Sequence, residues 1–214
     1  VEYAGEPPAL RLSPARRTIA ERMVHSLRTT APVTLTTSAD ATNLVNLREQ
    51  FKATAHGPQP VVPSYTDFLV KLAALALRDH PHLNARWEEN RIVMSAEIHI
   101  GIAVDTETGL LVPVVRNVPE LTLRQLALQT RDLAEKARQR RLTPAEMQGG
   151  TFTVTNLGAF GIDAFTPIIH WPQCAILGIG RIRRQPVVVN DQVVASDQVA
   201  LSLTFAAFDW IMSL

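Results

Sequence analysis

Apolar residues recur every four positions at Ile19, Met23 and Leu27, just after Ser13-Pro14, a capping serine followed by proline at the first helical position. The spacing predicts a helix from Ser13 to about Arg28, with Arg16, Arg17 and Arg22 on its polar face. Val33 to Ala39 alternates and carries Thr34, Thr36, Thr37 and Ser38, a pattern for a strand ending at Asp40. Asp40 can cap a second helix striped by Leu44, Leu47 and Phe51. A loop with Gly57, Pro58, Pro60 and Pro63 follows, and Ser64 then opens a third helix. Its apolar positions Phe68, Leu69, Leu72, Ala73, Leu75 and Ala76 cover so wide a face that it is expected to be buried.

Beyond His80-Pro81 the period shortens to that of strands. Arg91–Met94, Ile98–Val104 and Leu110–Arg116 are expected strands, the last two joined by Asp105-Thr106-Glu107-Thr108-Gly109 as an antiparallel hairpin. Thr122 caps a long helix to about Arg140. Thr143-Pro144-Ala145-Glu146 is a capping box that opens a short helix stopped by Gly149-Gly150. Strands are then expected at Thr151–Thr155, Cys174–Ile179, Pro186–Val189 and Val199–Phe205, with Asn190-Asp191 as a hairpin turn. Strand pairs interrupted by separated helices predict an α+β layer with a mixed or antiparallel sheet. The first ten residues, ending in Glu6-Pro7-Pro8-Ala9-Leu10, lack periodicity and read as a linker remnant before one domain over 11–214.

Composition narrows the partners. With 214 residues, 46% of them hydrophobic, the chain can build one real core. Twenty-one Lys and Arg against twenty Asp and Glu, without a block of one sign, give little support for nucleic acid or a polybasic membrane anchor. No apolar run approaches the roughly 18 residues of a membrane span. A small molecule or another protein chain is the expected partner. The single cysteine, Cys174, cannot form an internal disulfide, which fits a reducing compartment, and the expected address is the cytoplasm.

Four segments in order resemble the catalytic domain of the dihydrolipoamide acyltransferases, the E2 components of 2-oxoacid dehydrogenase complexes. They are Leu12-Ser-Pro-Ala-Arg-Arg-Thr-Ile-Ala-Glu-Arg-Met23, Gly101-Ile-Ala-Val-Asp105 leading to Gly109–Asn117, Leu142–Met147 leading to Gly150-Thr-Phe-Thr-Val-Thr-Asn-Leu-Gly158, and Phe165–Ile169 leading to Ala175-Ile-Leu-Gly-Ile-Gly-Arg181. The resemblance implies a chloramphenicol-acetyltransferase-like two-layer fold with a mixed sheet and flanking helices. It also implies acyl transfer between dihydrolipoyl-lysine and coenzyme A without a metal. Homotrimers with sites between subunits are implied as well, in a larger cubic or dodecahedral core that meets E1 and E3 components.

Exchange between two thiols needs a base near neutral pKa and a donor to the tetrahedral oxyanion. By the resemblance, Thr155 stands at the family's active-site serine or threonine, whereas by pattern alone it is an ordinary strand residue. Arg16 and Arg17 occupy the family's paired basic position, where an arginine is expected to brace the aspartate of the catalytic loop. That loop, Asp-His-Arg-x-x-Asp-Gly, is missing: Ala206-Ala207-Phe208-Asp209-Trp210 follows the strand ending at Phe205, in a stretch similar to the family's C-terminal helix. A strand running into Ala206 without Gly, Asn, Asp or Ser favours a segment left out at this point over a true loss of the loop. The leading reading is therefore an acyltransferase whose base lies outside the residues of this sequence. An inactive E2-like scaffold and a transferase acting on free thioesters are the alternatives.

The other candidates carry less. His25 and His56 fit structural roles. His80 and His82 flank Pro81 but lack further ligands for a metal, while His99 and His170 do not follow the last strand. Cys174 sits in an apolar strand pattern with no basic neighbour and reads as core. Asn117 and Asn156 are expected to close turns.

Overall fold

The computed structural model describes residues 13–56, 60–89 and 91–207; the linker expected over 1–10, most of the loop at Gly57-Pro58 and the stretch from Phe208 onward lie outside them. Four α-helices form where the caps place them: α1 (Pro14–Thr30), α2 (Thr42–Ala53), α3 (Tyr65–Asp79) and α4 (Leu123–Arg138). The Ser13 hydroxyl accepts the Arg16 N–H at the start of α1. Ser64 with Asp67, and Thr122 with Gln125, close reciprocal capping boxes on α3 and α4. Asp40 precedes α2 rather than capping it as N-cap; Ala41 holds that place, yet the Asp40 carboxylate accepts the Thr42 N–H at 2.8 Å.

Ten strands follow the chain: β1 (Pro32–Asp40), β2 (Ala85–Glu88), β3 (Arg91–Met94), β4 (Ile100–Ile102), β5 (Val104–Thr106), β6 (Gly109–Leu111), β7 (Val114–Val115), β8 (Phe152–Asn156), β9 (Ala175–Val189) and β10 (Gln192–Ala206). Six of them make one sheet in the order β1-β10-β9-β8-β4-β7, while β2-β3 and β5-β6 stand as separate hairpins. The β4–β8 and β8–β9 pairs are parallel and the others antiparallel, so the sheet is mixed and the fold α+β.

The structure corrects the sequence expectation in three places. Cys174–Ile179 and Pro186–Val189 belong to one strand, β9, which crosses the polar run Arg181–Gln185 and pairs with an equally long β10. Together they form an arm turned by Asn190 and Asp191, both with positive φ. Ile98–Val104 and Leu110–Arg116 each split in two, one part entering the main sheet and the other forming the small β5–β6 hairpin. Helix α3 buries Phe68, Leu69, Val70, Ala74 and Leu77, but Leu72 and Leu75 are exposed, so it is covered on one face rather than all round.

The core lies between the sheet and helices α3 and α4, centred on Val70, Ile100, Leu126, Phe152, Val154 and Ile179. The Lys71 ammonium reaches out of α3 and donates to the carbonyls of Val118, Pro119 and Leu121 at 2.7–3.2 Å, fixing the turn before α4. Helix α1 buries only Ser26 and Thr30. The Ser26 hydroxyl donates to the Ile169 carbonyl at 2.6 Å, so α1 is moored to the loop that precedes β9. Among the described residues no helix is long and apolar enough to cross a membrane.

Candidate active site

Three threonines occupy alternate positions at β8: Thr151, Thr153 and Thr155. The period of two sends them to the same side of the sheet. Thr151 is engaged at both its lone pair and its proton, accepting the His99 N–H at 3.0 Å and donating to the His99 carbonyl at 3.1 Å. Thr153, 1% exposed, donates to the Gln173 side chain at 2.6 Å. Thr155 is half-buried and sits in register with Gly178 of the parallel neighbour β9. The glycine has a reason. A methyl group at Gly178 would crowd Phe165 and Pro167, the side chains that shape the space beside Thr155.

That space is a cavity of about 520 Å³ walled by α1 (Ile19, Met23), the β6 region (Leu110, Leu111) and the loop before β9 (Phe165, Ile168). Thr155 also forms part of the wall of a second cavity, of about 560 Å³, whose lining is mixed: Asp67, Asp105, Arg131 and Arg138 stand among apolar residues such as Ile102 and Phe160. A hydroxyl thus stands where a largely apolar chamber meets one that carries charges of both signs. Asn156 holds the end of β8 in place, donating to the Thr66 hydroxyl at 2.9 Å and accepting the Gly158 N–H at 2.8 Å. Asn117 sits in the left-handed region at φ 48° and its N–H donates to His99 Nδ1 at 3.0 Å.

On the far side of the apolar chamber lies a third cavity, of about 600 Å³, bordered by Glu21, Arg22, His25, Gln148 and Trp171. Arg22 and His170 line both it and the apolar chamber. Burial, and then the nearby Arg22 charge, hold the His170 imidazole below the usual histidine pKa, so the ring is neutral at pH 7. Cys174 is buried and its thiol is pushed up to about 11 by burial, which makes it core rather than nucleophile.

Of the site residues expected from the resemblance, Thr155 lines the chamber and Arg16 and Arg17 do not; Arg22 and His170, also named from sequence, do line it. Arg16 and Arg17 are exposed on α1 and make no ion pair with described residues; it is Arg22, on the helix face of Ala15, Thr18 and Ile19, that enters the cavity walls. His80 and His82 bracket a short 3-10 turn, and no group of three or more His, Cys, Asp or Glu among the described residues could hold a metal ion. Strand β10 does not reverse after Phe205: Ala206 is still paired, opposite Pro32, and Ala207 donates to the Ala31 carbonyl. The positions directly after the last strand are therefore alanines, and the similarity to a C-terminal helix falls on Phe208–Leu214, outside the described residues.

The profile of the 2-oxoacid dehydrogenases acyltransferase (catalytic domain) family matches residues 5–206. The chain is 43% identical over 190 residues to the dihydrolipoyllysine-residue acetyltransferase component of the acetoin cleaving system of Bacillus subtilis (strain 168), covering 89% of this chain and 48% of that protein. The chain spans about half the length of the curated relatives it matches. Among solved structures it superposes on Azotobacter vinelandii dihydrolipoamide acetyltransferase with a TM-score of 0.90 at 36% identity, covering 96% of this chain and 86% of that one. That work concerns the role of a serine, a histidine and an asparagine in the catalytic mechanism of the Azotobacter enzyme. The cubic core of a pyruvate dehydrogenase multienzyme complex matches equally well, with a TM-score of 0.90, 36% identity and the same coverage.

Proposed function

The chain belongs to the 2-oxoacid dehydrogenases acyltransferase (catalytic domain) family, and from that premise we propose that it moves an acyl group between dihydrolipoyl-lysine and coenzyme A. Both partners are thiols in their unloaded form, so the reaction is thioester exchange through a tetrahedral intermediate. The attacking sulfur must lose its proton, and the carbonyl oxygen must gain a hydrogen bond as it becomes an oxyanion.

The observation that carries this reading is the Thr155 hydroxyl, free of any hydrogen bond to described residues and set at the junction of two cavities, one largely apolar and one with charged groups in its wall. An oxyanion donor has to be uncommitted in the ground state, because only an interaction stronger in the transition state accelerates the chemistry. The apolar chamber suits an acyl chain and a hydrocarbon arm. On the other side, Arg131 and Arg138, in a wall that also holds Asp67 and Asp105, offer guanidinium groups to the phosphates of coenzyme A. Two long substrates can then meet end to end at Thr155 from opposite directions.

In this reading residues 11–214 form the acyltransferase domain after a linker remnant, with Arg16 and Arg17 in supporting positions on α1. It works in the cytoplasm as a homotrimer within a larger core that binds E1 and E3 components. Family membership and the likeness to a cubic core support that assembly. Incubating the chain with dihydrolipoamide and acetyl-, succinyl- or branched-acyl coenzyme A tests the activity. Thioester formation from at least one donor is expected. No transfer from any of them would leave the inactive scaffold as the better account.

A further inference from the structure

The apolar chamber and the charged cavity share a boundary, and the residues that line both are Ala103, Leu110 and Thr155. The other large apolar side chains belong to one side only, Met23, Phe165 and Ile176 to the first and Ile102 and Phe160 to the second. We propose that Leu110 limits the size of the acyl group this chain transfers, admitting acetyl and turning away branched acyl groups. This rests on the acyl-transfer reading above.

The backbone brings the boundary residues to one place. Strands β4 and β8 run parallel, with Gly101 opposite Thr153 and Ile102 opposite Val154. The Ala103 N–H donates to the Val154 carbonyl at 3.0 Å, so the pairing continues past the end of β4 and sets Ala103 beside Thr155. Leu110 arrives from outside the main sheet. It lies on the β5–β6 hairpin, opposite Asp105, which also lines the charged cavity. The chain leaving that hairpin folds back over β4, where the Ile102 N–H donates to the Pro113 carbonyl at 2.9 Å. A Cβ at Gly101 would stand 2.7 Å from Val112 Cγ1 and 3.2 Å from Thr153 Oγ1. The glycine therefore lets the segment that carries Leu110 close over the face of the sheet that presents Thr153 and Thr155.

The three boundary residues offer different things. Ala103 has a single methyl, held by the sheet, and Thr155 has the hydroxyl that meets the carbonyl oxygen. Leu110 alone has bulk. It is 42% exposed, so its side chain is turned to the cavities and not spent on the core. Its backbone is nonetheless fixed, since the Thr106 hydroxyl donates to the Gly109 carbonyl at 2.6 Å and closes the hairpin turn.

The chemistry makes that position selective. The acyl group hangs from the same carbon whose oxygen must reach Thr155, so it stands at the boundary whichever thiol carries it. A side chain of fixed size there meets every acyl group at the moment of transfer. One methylene too many or too few in an apolar site changes kcat/KM by about 10- to 200-fold, and overfilling a packed site forces side chains off their rotamers.

The test compares kcat/KM for acetyl- and isobutyryl-coenzyme A, with dihydrolipoamide as acceptor, in the unmodified chain and in Leu110→Ala, Leu110→Met, Leu110→Phe and Leu128→Ala. The unmodified chain is expected to favour acetyl. Leu110→Ala is expected to raise the isobutyryl-to-acetyl ratio by about 10-fold or more, and Leu110→Phe to lower it below the parent's. Leu110→Met, of similar volume, is expected to stay near the parent ratio. Leu128, exposed on α4 and outside both linings, is expected to tolerate Ala with both rates unchanged. An unchanged ratio in folded, active Leu110→Ala and Leu110→Phe overturns the proposal while leaving acyl transfer standing. So does an unmodified chain that takes isobutyryl as readily as acetyl, or that transfers succinyl alone. No transfer from any donor overturns the acyl-transfer reading and this proposal with it.

Discussion

Thr153 and Thr155 stand two residues apart on one strand and face the same chamber, yet their hydroxyls are in opposite states. Thr153 is sealed, 1% exposed, with its proton committed to Gln173. Thr155 is half-buried and uncommitted. The difference shows how a fold divides its polar groups between building and chemistry. Groups that hold the structure are paired because an unpaired buried hydroxyl costs about 1–3 kcal/mol. Groups that serve a reaction stay unpaired until a substrate arrives. The two histidines differ in the same respect, His99 being paired at both nitrogens and His170 unpaired at Nδ1.

Three substitutions can break this contrast. The largest effect is expected at Thr155: replacement by Ala should lower turnover by about 10²-fold or more, the cost of one lost oxyanion donor. The thermal midpoint should stay put, and Thr155→Ser should keep most of the rate. An alanine variant as fast as the parent would remove Thr155 from the site. Next comes Thr153→Val, which keeps the shape but leaves the Gln173 side-chain oxygen without its donor. It should destabilise by about 1–3 kcal/mol. For a chain of this size that lowers the melting temperature by roughly 2–4 °C per kcal/mol. A Thr153→Val that melts normally but turns over slowly would invert the assignment.

The smallest effect separates pairing from burial. Glu146 is as well bonded as Thr153, accepting the Thr143 N–H at 2.8 Å and hydroxyl at 2.9 Å and pairing with Lys136 at 2.9 Å, but it lies at the surface. The Thr143 backbone N–H, then Lys136 and the Thr143 hydroxyl, hold its carboxylate down to about 2 from the usual value of 4.5. A depressed acid contributes stability above its unfolded pKa and loses it as the pH falls through the folded one. Thermal melts from pH 7 to 2 should therefore show part of the acid loss between about 4.5 and 2. Glu146→Gln should flatten that window while changing the melt at pH 7 only slightly.

Much of this architecture is written locally. Ser64, Thr122 and Thr143 announce their helical turns because a cap is a contact between residues three apart, and Asn190-Asp191 announces the arm's turn because both residues tolerate positive φ. The arm itself is hidden in the sequence. Arg181–Gln185 breaks the apolar pattern of β9, since that stretch leaves the core while remaining paired with β10. Strand β2 is likewise masked, because Arg86 and Glu88 point to solvent and form their own ion pair.

The chamber is harder still to read. Thr155 stands out only through the family resemblance, for a threonine in a strand carries no local mark of chemistry. Arg22 is visible on the polar face of α1, but nothing near it in sequence shows that the loop of His170 closes over it. These walls lie more than 140 positions apart, and contacts such as the Ser26–Ile169 hydrogen bond and the edge-on His25–Trp171 ring pair bring them together. One signal was available in His170 itself, placed directly after the Phe165–Ile169 segment.

The register of the sheet's edge also sets a schedule for synthesis. β1 has a single strand partner, β10, and pairs Pro32 with Ala206 and Asp40 with Gln198. At about 5–20 residues per second, the ribosome needs roughly 8–33 s to deliver the partner after β1 has emerged. Through that interval β1, with Val33 and Leu35 among its side chains, waits as an unpaired edge, the kind of segment that other chains capture. This edge of the sheet closes only once residues 198–206 have been made, so a nascent chain stopped before residue 198 carries β1 without its strand partner.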